Sequence, residues 1–209
     1  GDVYKRQAFY SGDITLIAKT SSGNLIGVDS TKTTFKETAN VLNQFGNTVV
    51  IKGQEVAIQA VRGLNSAKIT NDCNQYGIIG SGKSELNITF AGDAKNSFGA
   101  NVTIQTIDDL SIEATVDIDG IKVLNQGGCV ISAISGDTTK STLTINSNAY
   151  VILGNNLVVN STGDVAIVAN IANVTADVQT LIPDKASLVS ANYATTVSYT
   201  HLTLPTTSR

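Results

Sequence analysis

One run of eight residues, Gly77-Ile78-Ile79-Gly80-Ser81-Gly82-Lys83-Ser84, matches the G-x-x-x-x-G-K-S pattern of a phosphate-binding loop. In a nucleotide site, that loop wraps phosphates in its backbone amides, and a helix starting at the Lys-Ser end adds its N-terminal dipole. The chemistry needs a buried strand before the loop and a helix after it. Here Thr70-Asn71-Asp72-Cys73-Asn74-Gln75 upstream is polar and turn-like, and Leu86-Asn87-Ile88-Thr89-Phe90 downstream alternates like a strand before Gly92. Asp108 stands where a metal-binding acid could follow a strand, but it belongs to a phrase that recurs along the chain. The eight residues read as a Gly/Ser corner, and no cofactor is assigned to them.

Paired acids are the next candidates. Asp108-Asp109 and Asp117-Ile118-Asp119-Gly120 could hold calcium or act on a polysaccharide, as the clustered acids of parallel β-helix enzymes do. The spacing of a calcium loop is absent, Asp119-Gly120 is a turn signal, and Asp109 fills the polar slot of the recurring phrase. Cys73 and Cys129 are the two thiols, too far apart for a zinc motif and too few for a disulfide framework. They read as small buried hydrophobes. The one histidine, His201, lies near the C-terminal end, so the rest of the chain has no Ser-His-Asp or Cys-His arrangement. Sequons at Asn87, Asn101, Asn160 and Asn173 follow from the abundance of Asn and Thr. No catalytic, cofactor-binding or metal-ligating residue is assigned, and the chain reads as a non-enzyme.

Both ends are read as foreign to the fold. Gly1-Asp2-Val3-Tyr4-Lys5-Arg6-Gln7 resembles the translation of a transposon-end sequencing adapter. Val197-Ser198-Tyr199-Thr200-His201-Leu202-Thr203-Leu204-Pro205-Thr206 resembles the translation of the reverse one, with Thr207-Ser208-Arg209 as index sequence. Residues 1–7 and 197–209 are therefore expected to be non-native. Their removal takes away Lys5, Arg6, Arg209 and Asp2 and leaves 11 basic and 16 acidic residues in 8–196. Residues 197–204 alternate well enough to be built as a strand, which would carry no biology.

Residues 8–196 form the body of the protein, and their composition bounds the elements. This stretch has no Met, Trp or His, one Pro (Pro183) and 19 Asn, with abundant Thr, Ser, Gly, Val and Ile. β-Branched residues suit a pleated surface, and Asn, Asp and Gly suit tight corners. Mild acidity without a basic stripe argues against a nucleic-acid partner, and no apolar run is long enough to span a bilayer. A phrase recurs: acid or amide, aliphatic, any, aliphatic, any, small. It appears at Asp13-Ile14-Thr15-Leu16-Ile17-Ala18, Glu55-Val56-Ala57-Ile58-Gln59-Ala60, Asp109-Leu110-Ser111-Ile112-Glu113-Ala114, Asn156-Leu157-Val158-Val159-Asn160-Ser161 and Asp164-Val165-Ala166-Ile167-Val168-Ala169. Second alternating runs, Val49-Val50-Ile51, Val102-Thr103-Ile104 and Tyr150-Val151-Ile152, precede three of the copies.

Strand, corner, strand is how a coil of stacked β-structure is written. The copies are spaced 42, 54, 47 and 8 residues apart, which suggests coils of roughly 20–30 residues with corner insertions. Asn-rich corners would allow amide ladders between coils. Phe35, Ala39, Leu42 and Phe45 fall at helical spacing within 33–45, which suggests a short inserted helix, although Val41 and the Thr pair suit a strand equally. The fold class read from this is all-β, a parallel β-solenoid, with a β-sandwich as the alternative.

The runs Ala100-Asn101-Val102-Thr103-Ile104 through Asp109-Leu110-Ser111-Ile112-Glu113-Ala114 carry a resemblance, shared by Ser11-Gly12-Asp13-Ile14-Thr15-Leu16-Ile17-Ala18-Lys19 and Ala172-Asn173-Val174-Thr175-Ala176-Asp177. In rhythm and composition the chain resembles bacterial filamentous adhesins of the leukotoxin-type and filamentous-haemagglutinin-like group. The resemblance implies a right-handed parallel β-helix rod, secreted and displayed at the cell surface. Such a rod would be a structural or adhesive stalk whose partners are glycans or proteins of a host or neighbouring cell, besides the neighbouring coils of a parent chain. A carbohydrate-active β-helix enzyme and a β-sandwich binding module remain the other readings.

Overall fold

The computed structural model describes residues 2–182 and 186–201, without the side chains of 129–131, 186–192 and 198–201. Pro183 and residues 202–209 lie outside them. Some 80% of the chain is strand, and no helix occurs among the described residues. The chain passes the same positions four times. The first pass is β1 (Val3–Tyr10), β2 (Asp13–Gly23), β3 (Ile26–Thr38), β4 (Val41–Phe45) and β5 (Val50–Gly53). The second is β6 (Glu55–Leu64), β7 (Ser66–Tyr76), β8 (Ile79–Ala91), β9 (Ala94–Phe98) and β10 (Thr103–Thr106). The third begins with one continuous strand, β11 (Leu110–Asn146), then β12 (Ala149–Ile152) and β13 (Val158–Asn160). The fourth is β14 (Val165–Leu181) and β15 (Ala186–His201).

Each strand lies beside its counterpart one pass away, and every described pairing is parallel. Antiparallel hairpins, which the sandwich alternative would use, are not among these pairings. β11 pairs in turn with β6, β7 and β8, so its 37 residues bend around the sheet that three separate strands form below it. Irregular register between Val116 and Ile121 and between Cys129 and Ile131 marks the bends. Two smaller three-stranded sheets, β13-β10-β5 and β12-β9-β4, complete the circuit.

Strict alternation decides which residues point inward. In β6 the inward set is Val56, Ile58 and Ala60, stacked on Leu110, Ile112 and Ala114, which in turn meet Val165, Ile167 and Ala169. One cluster groups Ala60, Ile69, Leu86, Ile88, Phe90, Val116, Ile118 and Leu143; the other groups Phe45, Ile51, Val56, Ile58, Phe98, Ile104 and Ile112. Each fully buried aliphatic contributes about 1.5–3 kcal/mol. Phe45 and Phe98 stack at 4.8 Å between centroids, and Phe35 meets Phe90 edge-on at 5.8 Å.

Three expectations are corrected. Partners are 52 to 56 residues apart, not 20–30, because each pass visits three sheets before returning. Of the repeated phrases, those at 55, 109 and 164 do stack, but Asp13 lies beside Ser66 and so opens a different strand. Val50 and Thr103 are followed in their column by Val158, whereas Tyr150 lies beside Lys95. Residues 33–45 form the end of β3 and all of β4, not a helix. Phe35 and Phe45 point inward while Leu42 faces solvent, so the apolar spacing that suggested a helix includes one outward residue.

Candidate functional site

The phosphate-loop match lies across a corner and the start of a strand. Gly77 and Ile78 turn, and residues 79–84 are extended within β8, so no helix N-terminus faces them. Its polar groups are occupied. The Gly82 amide donates to Asp137 Oδ1 at 2.8 Å, Lys83 Nζ meets Glu85 Oε1 at 2.8 Å, and Ser84 Oγ accepts from Asn71 Nδ2 at 3.2 Å. The Lys83 hydrogen bond and charge hold the half-buried Glu85 carboxyl below its ordinary value. A Cβ at Gly82 would lie 1.8 Å from Gln75 Oε1 and 2.8 Å from Asp137 Oδ1, so a larger residue there would have to displace those side-chain ends.

The paired acids are corner residues that tie one pass to the next. Asp109 Oδ1 accepts the Asp164 amide at 2.9 Å, and Asp108 Oδ2 accepts from Gln54 Nε2 at 2.9 Å. Asp119 Oδ1 accepts the Gly120 amide at 2.7 Å and the Thr175 hydroxyl, while Asp117 Oδ1 takes Asn173 Nδ2 at 3.4 Å. Among the described residues, no group of three or more His, Cys, Asp and Glu could hold a metal. Cys73 is free and buried, with the hydroxyls of Thr20 and Thr31 at 3.1 and 2.8 Å from its sulfur. The Cys129 side chain lies outside the described set, but its backbone stands beside Gln75, not Cys73. Of the four sequon asparagines, Asn101, Asn160 and Asn173 are exposed and Asn87 is half-buried.

The expected amide ladders exist, and two of them run through the interior as well as at corners. Asn71 Nδ2 donates to Asn125 Oδ1 at 2.8 Å, and Asn43 Nδ2 to Asn96 Oδ1 at 3.0 Å. At corners, Asn148 Nδ2 donates to Asp93 Oδ1 at 2.9 Å and Asn156 Nδ2 to Asn101 Oδ1 at 3.0 Å. Parallel, in-register pairing sets like side chains next to one another, which lets an amide both donate and accept along the stack.

A groove of about 720 Å³ lies along the corner after β5, β10 and β13. Lys52, Gln54, Gln105, Ile107, Asn160 and Thr162 line it, and its one carboxylate is Asp2, in the segment read as adapter-derived. Acid–base attack on a glycosidic bond uses two facing carboxyls, which this lining does not assemble.

Sequence reasoning did not single out the most unusual polar group, the buried pair Arg62–Glu37. Arg62 is 1% exposed and its Nη2 lies 2.5 Å from Glu37 Oε2; Nε and Nη2 also donate to the carbonyls of Ala39 and Ala91. In the stack, Arg62 lies between Tyr10 and Val116. Burial, then the charge and hydrogen bond of Glu37, raise the Tyr10 phenol above its usual range, against the pull of Arg62. Arg62 continues the inward alternation of Val56, Ile58 and Ala60, but it lies beyond the repeat phrase at 55–60, and its partner Glu37 stands 25 residues away in another pass.

The class these observations define is an all-β chain of parallel strands in curled sheets, with its paired acids bonded to neighbouring passes. No family model, curated protein or solved structure matches the chain.

Proposed function

We propose that this chain is a segment of a β-solenoid stalk, a right-handed parallel β-helix belonging to a large secreted or surface-displayed repetitive protein of the filamentous-adhesin type. The observation that carries the reading is the parallel return of the chain to itself every 52 to 56 residues. Such a stack buries its aliphatics against neighbouring passes, so it lengthens without needing a larger core. The corner acids, bound to the next pass, support a structural role over catalysis. Contact with glycans or proteins of another cell would rest on the long polar face and on many copies, with avidity supplying strength.

The experiment is surface labelling of the source cells with an antibody raised against residues 8–196, paired with incubation of the purified chain with acidic polysaccharides. Surface label at a distance from the envelope, with no new reducing or unsaturated ends, is the expected result. Release of such ends would replace the stalk with a carbohydrate-active enzyme, and label confined to the cell interior would end the surface reading.

A further inference from the structure

The corner that carries the phosphate-loop match also carries an apolar ridge that nothing described in the chain covers. Ile26, Ile79 and Ile134 stand beside one another in three successive passes. Leu25 and Val28 flank the first, and Ile78 precedes the second; the six side chains are between 43% and 73% exposed. Backbone bonds keep the corner aligned: the Ile78 amide donates to Leu25 O at 3.1 Å and the Ala133 amide to Ile78 O at 2.9 Å. Between the first two passes, Gly23, Asn24, Leu25, Tyr76, Gly77 and Ile78 border a cleft of about 380 Å³. Contiguous exposed aliphatics of this kind mark contact surfaces in soluble proteins.

We infer that this ridge is a lateral docking surface for a second copy of the chain, ridge against ridge. Two observations select that occupant. The ridge repeats at the strand spacing, about 4.8 Å, so a facing surface must offer side chains at the same interval to fill every gap. An identical stack does so and can interdigitate in the manner of a dry β-zipper, whereas an α-helix, with a pitch of about 5.4 Å, falls out of step. Charge is the second. The chain carries a net charge of −3, so two copies repel over most of their surfaces. The three windows that build the ridge, residues 20–28, 73–82 and 123–136, contain no charged residue. The ridge is the face on which two copies approach without bringing like charges together.

Sedimentation equilibrium of the full chain, from about 1 to 200 µM, tests this. The wild type is expected to form a dimer, and the triple variant Ile26→Lys, Ile79→Lys, Ile134→Lys to weaken it at least tenfold while its far-UV circular dichroism stays β-type. If the triple variant does not fold, Ile79→Thr decides, with a severalfold weaker dimer expected. A monomer at every concentration overturns the inference. So does association that survives the substitutions in a folded variant, because pairing through open sheet edges would be indifferent to outward lysines. A monomeric wild type that floats with neutral phosphatidylcholine vesicles would assign the ridge to a lipid surface and also overturn it.

Discussion

Arg62 and Glu37 are the place where a single side chain matters most. Removing a charge from water costs several kcal/mol, and a buried pair recovers this only when its geometry and hydrogen bonds are good. Here the pair meets at 2.5 Å, but Arg62 Nη1 and Glu37 Oε1 have no partner. Glu37→Gln is therefore expected to destabilise by about 3–5 kcal/mol, since it strands the guanidinium. The double variant Arg62→Met, Glu37→Gln is expected to recover most of that loss. Urea unfolding midpoints of the three proteins check both statements; a Glu37→Gln protein as stable as the wild type would mean that the pair is hydrated. The pair has a second effect at this scale. Arg62 fits only opposite Glu37, so a slip of one residue between the first two passes would bury an unpaired charge.

Corners act at the scale of the element. Thr48, Asn101 and Asn156 share one column and one left-handed conformation, each with φ of 58°. Asn tolerates this region, but the branched Cβ of Thr does not. Thr48→Asn is expected to stabilise by about 1 kcal/mol, and it would place a third amide below the Asn101–Asn156 rung; thermal or urea unfolding measures the gain, and no gain would mean that the corner relaxes. Much of the element scale was legible in the sequence. Alternation marked the strands around Glu55, Asp109 and Asp164, and the Asn content marked ladders before any coordinates. Residues 33–45 were harder to read, because an apolar residue every three or four positions fits a helix and also fits a strand with one outward Leu42. The buried pair was not legible, because a period of two puts Arg62 on the inward face with Val56, Ile58 and Ala60 but does not say that Glu37 of another pass meets it there.

For the whole molecule, the consequence of stacking is that stability belongs to neighbouring passes and not to one closed core. A chain ending after residue 163 is expected to keep its first three passes folded, with a denaturant m-value lower roughly in proportion to the length removed. Collapse of the shortened chain would instead point to a single interdependent core. The terminal segments matter here too. β1 places Tyr4 and Arg6 in the columns that Val56 and Ile58 continue, and Arg6 lies over the Phe45 ring at 4.6 Å. Ala8, the first residue read as native, falls in the column of Ala60, Ala114 and Ala169.

By itself, the sequence determined the strand class, the inward aliphatics of the repeat phrase and the polar chemistry of the corners, because all three depend on neighbours a few residues apart. The distance at which the chain meets itself was decided only in three dimensions. Copies of the phrase at 13 and 156 look alike locally, but the first pairs with a different strand of the large sheet and the second lies on another sheet, and register is set by which columns fill and which corners align over more than fifty residues. The same long-range stacking turned a literal phosphate-loop match into a strand, buried Arg62 against Glu37, and gathered the isoleucines of three passes into one exposed ridge.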